Sequence, residues 1–378
     1  MATSGSRRLL PVPFLAGALL LAGCSPDGAG PGPARAVPSP TAAPARTAAC
    51  EVALPAAWRS AFTTGEYRPP AGERAVLTET GPGWTALQLT GAEGRRAVLV
   101  RPGEKSPHTL LRLADPVEHQ LLAADFDGRR WAAFAVLEGR TLDSPWSLYV
   151  WDAATGRSRR LARAARPGPL PRPVVRDGTV LWAQGTGSDK ATVFAAPAAG
   201  GAPRAWHTGV LDSPFAAGGL LVWREAAGAG TRLSAVSLRD GRPAALPPAI
   251  AALRDIRSPV SDGTTWAWVA GETAPRLMVW RAGEARPSAA VTASPAVDGM
   301  DQLRTSGRLV TWRTPETSYA LDLGSGAYAE ITPAYGYVQA AGGALALAYS
   351  VGEAKAAGAR SVIQVVDGAR LPGLPHCG

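Results

Sequence analysis

Short apolar runs, bounded by glycine pairs and Asp-Gly pairs, are the main pattern of this sequence. The runs are rich in leucine, β-branched and aromatic residues. They predict β-strands, and the Asp-Gly and Gly-Gly pairs supply the positive φ angles that tight hairpins need. Helical periodicity is almost absent: only residues 54–65 (LPAAWRSAFTTG) are typical of a helix, with proline near the start and glycine past the end. The pattern therefore predicts an all-β fold.

One strand-and-turn segment recurs along the chain. It is clearest at residues 147–156 (SLYVWDAATG), where an apolar run leads into a turn that ends at glycine. The turn glycines of this segment and its relatives are Gly103, Gly156, Gly201, Gly241, Gly283, Gly326 and Gly368. Their spacings are 53, 45, 40, 42, 43 and 42 residues, and a period in this range indicates propeller blades or solenoid units.

A second signal precedes each of these segments. At residues 172–182 (RPVVRDGTVLW) a proline is followed by an Asp-Gly turn and an apolar strand that ends in tryptophan. The two signals together make about four short strands per repeat, as in a propeller blade. We therefore predict a seven-bladed β-propeller; six or eight blades also fit, because the first unit is the most divergent. The strand-end tryptophans are predicted to pack between blades: Trp84, Trp131, Trp182, Trp223, Trp268 and Trp312.

The repeat motif resembles that of a known class of propellers. Asp-Gly-x-x-x-Trp followed by Leu-x-Val-x-Asp-x-x-Thr-Gly is similar to the repeats of TolB-like and related WD-repeat-like propellers, over about residues 66–370. Single repeats depart from the pattern; residues 192–201, for example, lack the aspartate. In that family the propeller is an interaction scaffold with no chemistry of its own. The resemblance therefore implies a non-catalytic binding domain.

The N-terminus has the layout of a bacterial lipoprotein signal peptide. Residues 1–23 combine a short basic start (Arg7, Arg8), an apolar run too short for a comfortable membrane span, and small residues. The run ends in LAGC at residues 21–24, which resembles the lipobox of bacterial lipoproteins. That resemblance implies cleavage between Gly23 and Cys24 and a palmitate-type lipid anchor on Cys24; the alternative is a buried cysteine beside an ordinary signal sequence. Arg7 and Arg8 also resemble part of a twin-arginine export motif, so the export route stays open.

Residues 24–49 separate this signal from a predicted propeller domain at 50–378. They are rich in proline, alanine and glycine and have no apolar period, which predicts a disordered, extended linker. Cys50 and Cys377 then lie one at each end of the domain. An even pair of cysteines outside the cell favours a disulfide, and closure of a ring brings both ends together. Two unpaired thiols in frayed ends are the alternative.

Charge and residue spacing narrow the candidate chemistry. The formal net charge is +9, but the basic residues are spread over all repeats and are not interleaved with aromatics, so we expect no nucleic-acid binding. The four histidines lack zinc-motif spacing, and no Gly-x-Ser-x-Gly nucleophile occurs. We therefore predict no catalytic residue, no metal and no cofactor. Trp146 and Trp206 fall in variable segments, and we predict that they are candidates for stacking on a ligand.

The function predicted from the sequence is a non-catalytic interaction scaffold of the cell envelope. A lipid would hold it on the extracytoplasmic face of the cell membrane, with another envelope protein as its partner. The loops at 141–146, 185–190 and 226–231 are predicted to form the binding rim. The alternative is an enzyme, or a binder of a small molecule or glycan, that uses the central channel. That alternative needs several acidic or histidine side chains to converge from the innermost strands, which are mostly apolar in the sequence.

Overall fold

The Asp-Gly and Gly-Gly pairs form the tight turns expected from their sequence. Asp177 and Gly178 have φ angles of 47° and 71°, and Gly342 and Gly343 have φ angles of 54° and 93°. Two consecutive positive φ angles define a turn whose twist matches that of a β-hairpin. The computed structural model describes residues 48–92, 94–104, 106–113, 119–165, 168–187, 189–292, 295–351 and 360–377. Within these residues, the strands form seven sheets that are antiparallel except for one terminal strand.

Three short elements open the described chain and later close the ring. They are the strand β1 (Cys50–Glu51), the helix α1 (Ala56–Thr64) and the strand β2 (Glu66–Tyr67). The helix begins after Pro55 and ends at Gly65, which confirms the single helix predicted from the sequence. A Cβ atom on Gly65 would lie 2.3 Å from the carbonyl oxygen of Val365, so glycine permits the close approach of this segment to the last blade.

Each sheet is one blade, and its strands are given from the channel outwards. Blade 1 contains β3 (Arg74–Gly81), β4 (Trp84–Gly91), β5 (Gly94–Val100) and β6 (His108–Leu113). Blade 2 contains β7 (His119–Phe126), β8 (Trp131–Glu138), β9 (Trp146–Asp152) and β10 (Arg157–Ala164). Blade 3 contains β11 (Val174–Arg176), β12 (Thr179–Gly185), β13 (Ala191–Pro197) and β14 (Arg204–Gly209).

Blade 4 has three strands, β15 (Phe215–Ala217), β16 (Leu220–Ala227) and β17 (Gly230–Ser237), followed by the helix α2 (Pro248–Ala251). Blade 5 contains β18 (Arg257–Ser261), β19 (Thr265–Ala270), β20 (Arg276–Arg281) and β21 (Ser288–Val291). Blade 6 contains β22 (Asp301–Ser306), β23 (Leu309–Arg313), β24 (Ser318–Asp322) and β25 (Ala327–Glu330). Blade 7 contains β26 (Tyr337–Ala341), β27 (Ala344–Val351) and β28 (Arg360–Asp367), and a 3₁₀ turn (Gly368–Arg370) follows.

The N-terminal elements complete blades 6 and 7. Strand β1 pairs in parallel with β25, and β2 pairs with β28 as the fourth strand of blade 7. Between them, the Trp58 side chain of α1 is fully buried with residues of both blades, and its Nε1 donates a hydrogen bond to the Pro372 carbonyl oxygen at 2.9 Å. A disulfide joins Cys50 to Cys377, with their Cα atoms 5.8 Å apart. The two ends of the domain are therefore covalently linked, as the even pair of cysteines suggested.

Hydrophobic clusters between neighbouring blades form the core. Each blade contributes the fourth residue of its second strand, and that residue packs against the preceding blade: Leu87, Phe134, Trp182, Trp223, Trp268, Trp312 and Leu347. Interblade packing of the tryptophans is thus confirmed, at this position for four of the six. Trp84 and Trp131 are instead the first residues of their strands. Trp84 is buried between blades 1 and 2, where it contacts Phe126, and Trp131 packs half-buried against the cluster between blades 2 and 3. The seven-bladed β-propeller predicted from the turn spacing is confirmed.

Candidate functional site

A cavity of about 830 Å³ lies at the centre of the propeller. All seven blades line it, through their innermost strands or the turns that follow these strands. The volume falls within the range of about 300–1,000 Å³ that is usual for sites of small ligands. Each innermost strand pairs on one side only, so backbone N–H and C=O groups on its other edge face the channel.

The channel wall is shortest at blades 3 and 4. Strands β11 and β15 have three residues each, whereas β3 and β7 have eight. Pro173 and Pro214 directly precede the two short strands, and proline has no N–H group to extend a ladder. The segment before β11 is therefore free of strand pairing, and its Arg172 side chain lines the cavity.

One carboxylate of the channel comes from blade 2. Asp125 accepts hydrogen bonds from the backbone N–H groups of Val175, at 2.7 Å, and Phe126, at 3.0 Å, and pairs with Arg176 at 3.3 Å. Its side chain is 21% exposed. Burial raises the pKa of Asp125 to about 6, although the charge of Arg176 and the two N–H groups act in the opposite direction. The surroundings therefore hold the pKa of this carboxyl above its ordinary value.

A second carboxylate comes from blade 1 and faces an arginine of blade 6. Glu79 lies 3.7 Å from Nε of Arg304, and burial raises the pKa of Glu79 while the charges of Arg304 and Arg172 lower it. Arg304 is held in place, because its Nε also donates to Oε1 of Gln339 and its Nη1 to the Leu303 carbonyl oxygen, each at 3.0 Å. Arg304 of blade 6 therefore contacts both Glu79 of blade 1 and Gln339 of blade 7, which lies between them in the ring.

Arg172 has no such partner. Among the described residues, no hydrogen-bond acceptor and no carboxylate lies within bonding distance of its guanidinium group. Water in the channel can reach the side chain, yet the surrounding protein displaces enough water to lower its pKa, and the charge of Arg304 lowers the pKa further. The channel thus contains a cation without a counter-charge in contact.

Hydrogen bonds between blades hold the innermost strands in position. The Tyr337 hydroxyl of blade 7 donates to the Leu77 carbonyl oxygen of blade 1 at 2.6 Å, and Oε1 of Gln88 in blade 1 accepts from the Leu121 N–H of blade 2 at 2.9 Å. Burial raises the pKa of Tyr337 to about 12, so this hydroxyl keeps its proton. The positions of the charged groups are therefore determined by the ring as a whole.

The two tryptophans predicted to stack on a ligand, Trp146 and Trp206, do not line this channel. Trp146 is 4% exposed and packs between blades 2 and 3, and Trp206 is half-buried beside Gly241. Of these two rings, Trp206 has the larger surface open to a ligand. The lipidation, cleavage and export residues (Cys24, Gly23, Arg7, Arg8) lie outside the described residues. No helix in the described ranges is long and apolar enough to cross a bilayer.

The charged channel residues were missed in the sequence. Asp125 lies just before a hairpin turn that Asp127 makes, with its Oδ1 accepting from the N–H groups of Arg129, Arg130 and Trp131. Two of these residues stand out in the sequence: Asp125 interrupts an apolar run, and Arg172 lies between two prolines. Glu79 and Arg304 lie among polar residues and give no such signal. The charged residues that line the channel are four acids and five arginines: Glu79, Asp125, Asp127, Asp177, Arg129, Arg130, Arg172, Arg176 and Arg304.

Comparisons with known proteins identify the fold. No protein-family model matches the sequence, and no curated protein matches it significantly. One prolyl endopeptidase structure matches with a TM-score of 0.54 at 14% identity, over 85% of this chain and 50% of that chain. Oligopeptidase B from Leishmania major matches with a TM-score of 0.54 at 8% identity, over 84% and 50%. The chain thus spans about half the length of these peptidases.

Two further matches are to shorter chains. The β-propeller domain of the Trilobed protease from Pyrococcus furiosus matches with a TM-score of 0.52 at 12% identity, over 78% of this chain and 96% of that domain. TolB from Acinetobacter baumannii matches with a TM-score of 0.40 at 12% identity, over 81% and 68%. Identities this low show the fold alone.

The prediction of a non-catalytic envelope scaffold is wrong in the light of these matches. The three structures reported above with a TM-score above 0.5 are a prolyl endopeptidase, oligopeptidase B and the propeller domain of a protease. The repeat motif could not separate the two classes, because turn glycines and interblade aromatics report the architecture of a blade and not its ligand. Only the propeller part of each long peptidase matches, so no enzymatic activity is supported for this chain.

Proposed function

We propose that this protein is a peptidase-associated propeller that binds short peptides in its central channel. The observation that carries the proposal is the channel itself: a cavity of about 830 Å³ lined by four acidic residues and five arginines from different blades. Apolar residues of the wall (Val174, Phe215 and Val260) alternate with these charges. A short peptide can use both the charged and the apolar groups of the wall, because its ends are charged and many of its side chains are apolar.

The similarity to peptidase propellers supports this proposal. The peptidase that receives the peptide is the proposed partner. As a further part of the proposal, a lipid on Cys24 holds the protein on the extracytoplasmic face of the cell membrane, with residues 24–49 as a spacer. Replacing Cys24 by alanine should then release the protein from the membrane fraction; a protein that remains there would contradict the anchor and leave the channel proposal untouched.

The channel is tested by titrating the purified full-length protein with peptides of about two to five residues, the size suited to such a cavity. Trp84 and Trp131 line the channel, so binding should change tryptophan fluorescence. Photoreactive versions of the peptides should then cross-link to the channel wall, which mass spectrometry can locate. Absence of saturable binding, or cross-links confined to the outer strands, would refute the proposal.

Two serines provide a matched pair of variants. Ser261 lines the channel and its hydroxyl oxygen accepts a hydrogen bond from the Gly263 N–H at 2.9 Å; Ser325 makes the same kind of contact with the Ala327 N–H at 3.3 Å, at an outer turn of blade 6. Ser261→Trp should fill part of the channel and weaken peptide binding about tenfold or more, or about 1.4 kcal/mol. Ser325→Trp adds the same bulk outside the channel and should leave the affinity unchanged.

A further inference from the structure

Arg172 is the unusual group of the channel. Pro171 and Pro173 flank it, and both prolines are buried, so the backbone at this point is anchored while the arginine side chain lines the cavity. Within the described part of the chain its five N–H donors have no acceptor in contact. The side chain is exposed to the channel, so these N–H donors are available to a ligand that enters it. A ligand that brings a negative charge would pair with them directly.

The surroundings of Arg172 add positive charge. Arg304 is near enough to lower the pKa of Arg172, and its own guanidinium group is fixed by Gln339 and by the Leu303 carbonyl oxygen. The two acids whose charges act on Arg172 are Glu79 and Asp212. Each pairs with another arginine, Glu79 with Arg304 at 3.7 Å and Asp212 with Arg224 at 2.5 Å. Arg172 therefore has no carboxylate of its own in contact, which favours an anion beside it.

The geometry of a guanidinium group selects the kind of anion. Its planar fork of N–H donors matches the two oxygens of a carboxylate or phosphate. The wall also contains apolar side chains and the unpaired backbone edges of the innermost strands, and such edges bind extended peptides through main-chain hydrogen bonds. A peptide that ends at Arg172 uses both features, whereas a free phosphate uses only the first.

We propose that Arg172, together with Arg304, forms a subsite for the free C-terminal carboxylate of a short peptide. This inference rests on the proposed function, since it specifies which part of the peptide the channel recognises. The shortened wall at β11 leaves the space in which the terminus lies. Glu79 then faces the same group from blade 1 and excludes a ligand that carries a second negative charge.

The test compares one apolar tripeptide, acetylated at its N-terminus, as the free acid and as the C-terminal amide. With the full-length protein, the free acid should bind about 10- to 100-fold more tightly than the amide, as expected for a hydrogen-bonded charge pair. Arg172→Gln should abolish this difference while the affinity for the amide stays the same. Arg172→Lys keeps the positive charge but lacks the planar set of N–H donors, so it should retain only part of the difference in affinity between acid and amide.

Arg286 provides the control. It is exposed on an outer turn of blade 5 and does not line the channel, so Arg286→Gln removes the same charge without touching the subsite and should leave the acid-to-amide ratio unchanged. Equal, saturable binding of acid and amide by the unmodified protein would overturn this inference and leave the proposed function standing. Binding of neither peptide would overturn both. Inorganic phosphate that competes as well as the acid peptide would show a general anion site and overturn the assignment to a peptide terminus.

Discussion

Asp125 allows a direct test of the channel, because its environment predicts in which direction the free energy of unfolding changes with pH. The side chain is largely buried between blades 2 and 3 and is held by two backbone N–H groups and by Arg176. Burial raises its pKa to about 6, against 3.8 for an ordinary aspartate. Asp125→Asn keeps the shape of the side chain and removes its titration. The difference between the two proteins therefore isolates this one group.

The sign follows from proton binding. Between pH 3.8 and about 6 the folded protein holds a proton on Asp125 and the unfolded chain does not, so the contribution of Asp125 to stability falls as the pH rises through this window. Below 3.8 both states are protonated, and above about 6 neither is. The full change is about 3 kcal/mol, at about 1.36 kcal/mol per pKa unit. The free energy of unfolding of Asp125→Asn, relative to the unmodified protein, should therefore rise by up to about 3 kcal/mol from pH 4 to pH 7.

Denaturant unfolding at several pH values, followed by tryptophan fluorescence, measures this difference. Asp152→Asn is the matched control: hydrogen bonds from Arg130 lower the pKa of Asp152 to about 2, so its titration window lies below pH 3.8 and its difference should be flat from pH 4 to pH 7. If Asp125→Asn also loses hydrogen bonds, the free energy of unfolding changes by the same amount at every pH, and the dependence of the difference on pH is not affected. If the difference for Asp125→Asn is also flat, Asp125 does not lie in a desolvated channel, and the reasoning is refuted.

Three further predictions concern the ring. Trp58→Ala should reduce the free energy of unfolding by about 3–5 kcal/mol, because the fully buried indole fills the space between blades 6 and 7; a loss below about 1 kcal/mol, the level usual for a partly exposed site, would contradict this packing. Phe134→Ala should cost about 3–5 kcal/mol and Trp131→Ala clearly less, since Phe134 is the blade 2 core residue, whereas Trp131 is half-buried beneath Arg130; the reverse order in denaturant melts would refute the register. Replacing Cys50 and Cys377 together by serine should cost up to about 5 kcal/mol in the chain-entropy description, and reduction of the native protein should lower its denaturant midpoint in the same way.

Much of the fold could be predicted because the signals are local. A turn glycine, an Asp-Gly hairpin and a strand of apolar residues each act within a few positions of the chain, and their repetition counts the blades. The helix at residues 54–65 was recognisable for the same reason. The placement of the tryptophans was less secure. In blades 1 and 2 the core position is taken by Leu87 and Phe134, and a tryptophan at the start of the strand has the same appearance in the sequence.

The candidate site could not be predicted in this way. Glu79, Asp125, Arg172 and Arg304 come from blades 1, 2, 3 and 6, and each is an ordinary charged residue within its own segment. Only closure of the ring brings them to one cavity. The function assigned from the repeat motif failed for a related reason, since the motif describes how blades stack and carries no information about what the channel contains.

The sequence by itself determined the number of blades, the turns between strands, the helix before blade 1 and the pair of cysteines that meet at the closure, because these depend on local backbone preferences and on a regular period. The tertiary structure alone decided that β1 and β2 complete blades 6 and 7, that Arg172 faces the cavity without a partner, and that Asp125 is desolvated enough to titrate near pH 6. Electrostatic interactions depend on distance in space and on the water that neighbouring atoms displace. Neither quantity is a property of sequence separation, and both are set only when seven sheets enclose a common axis.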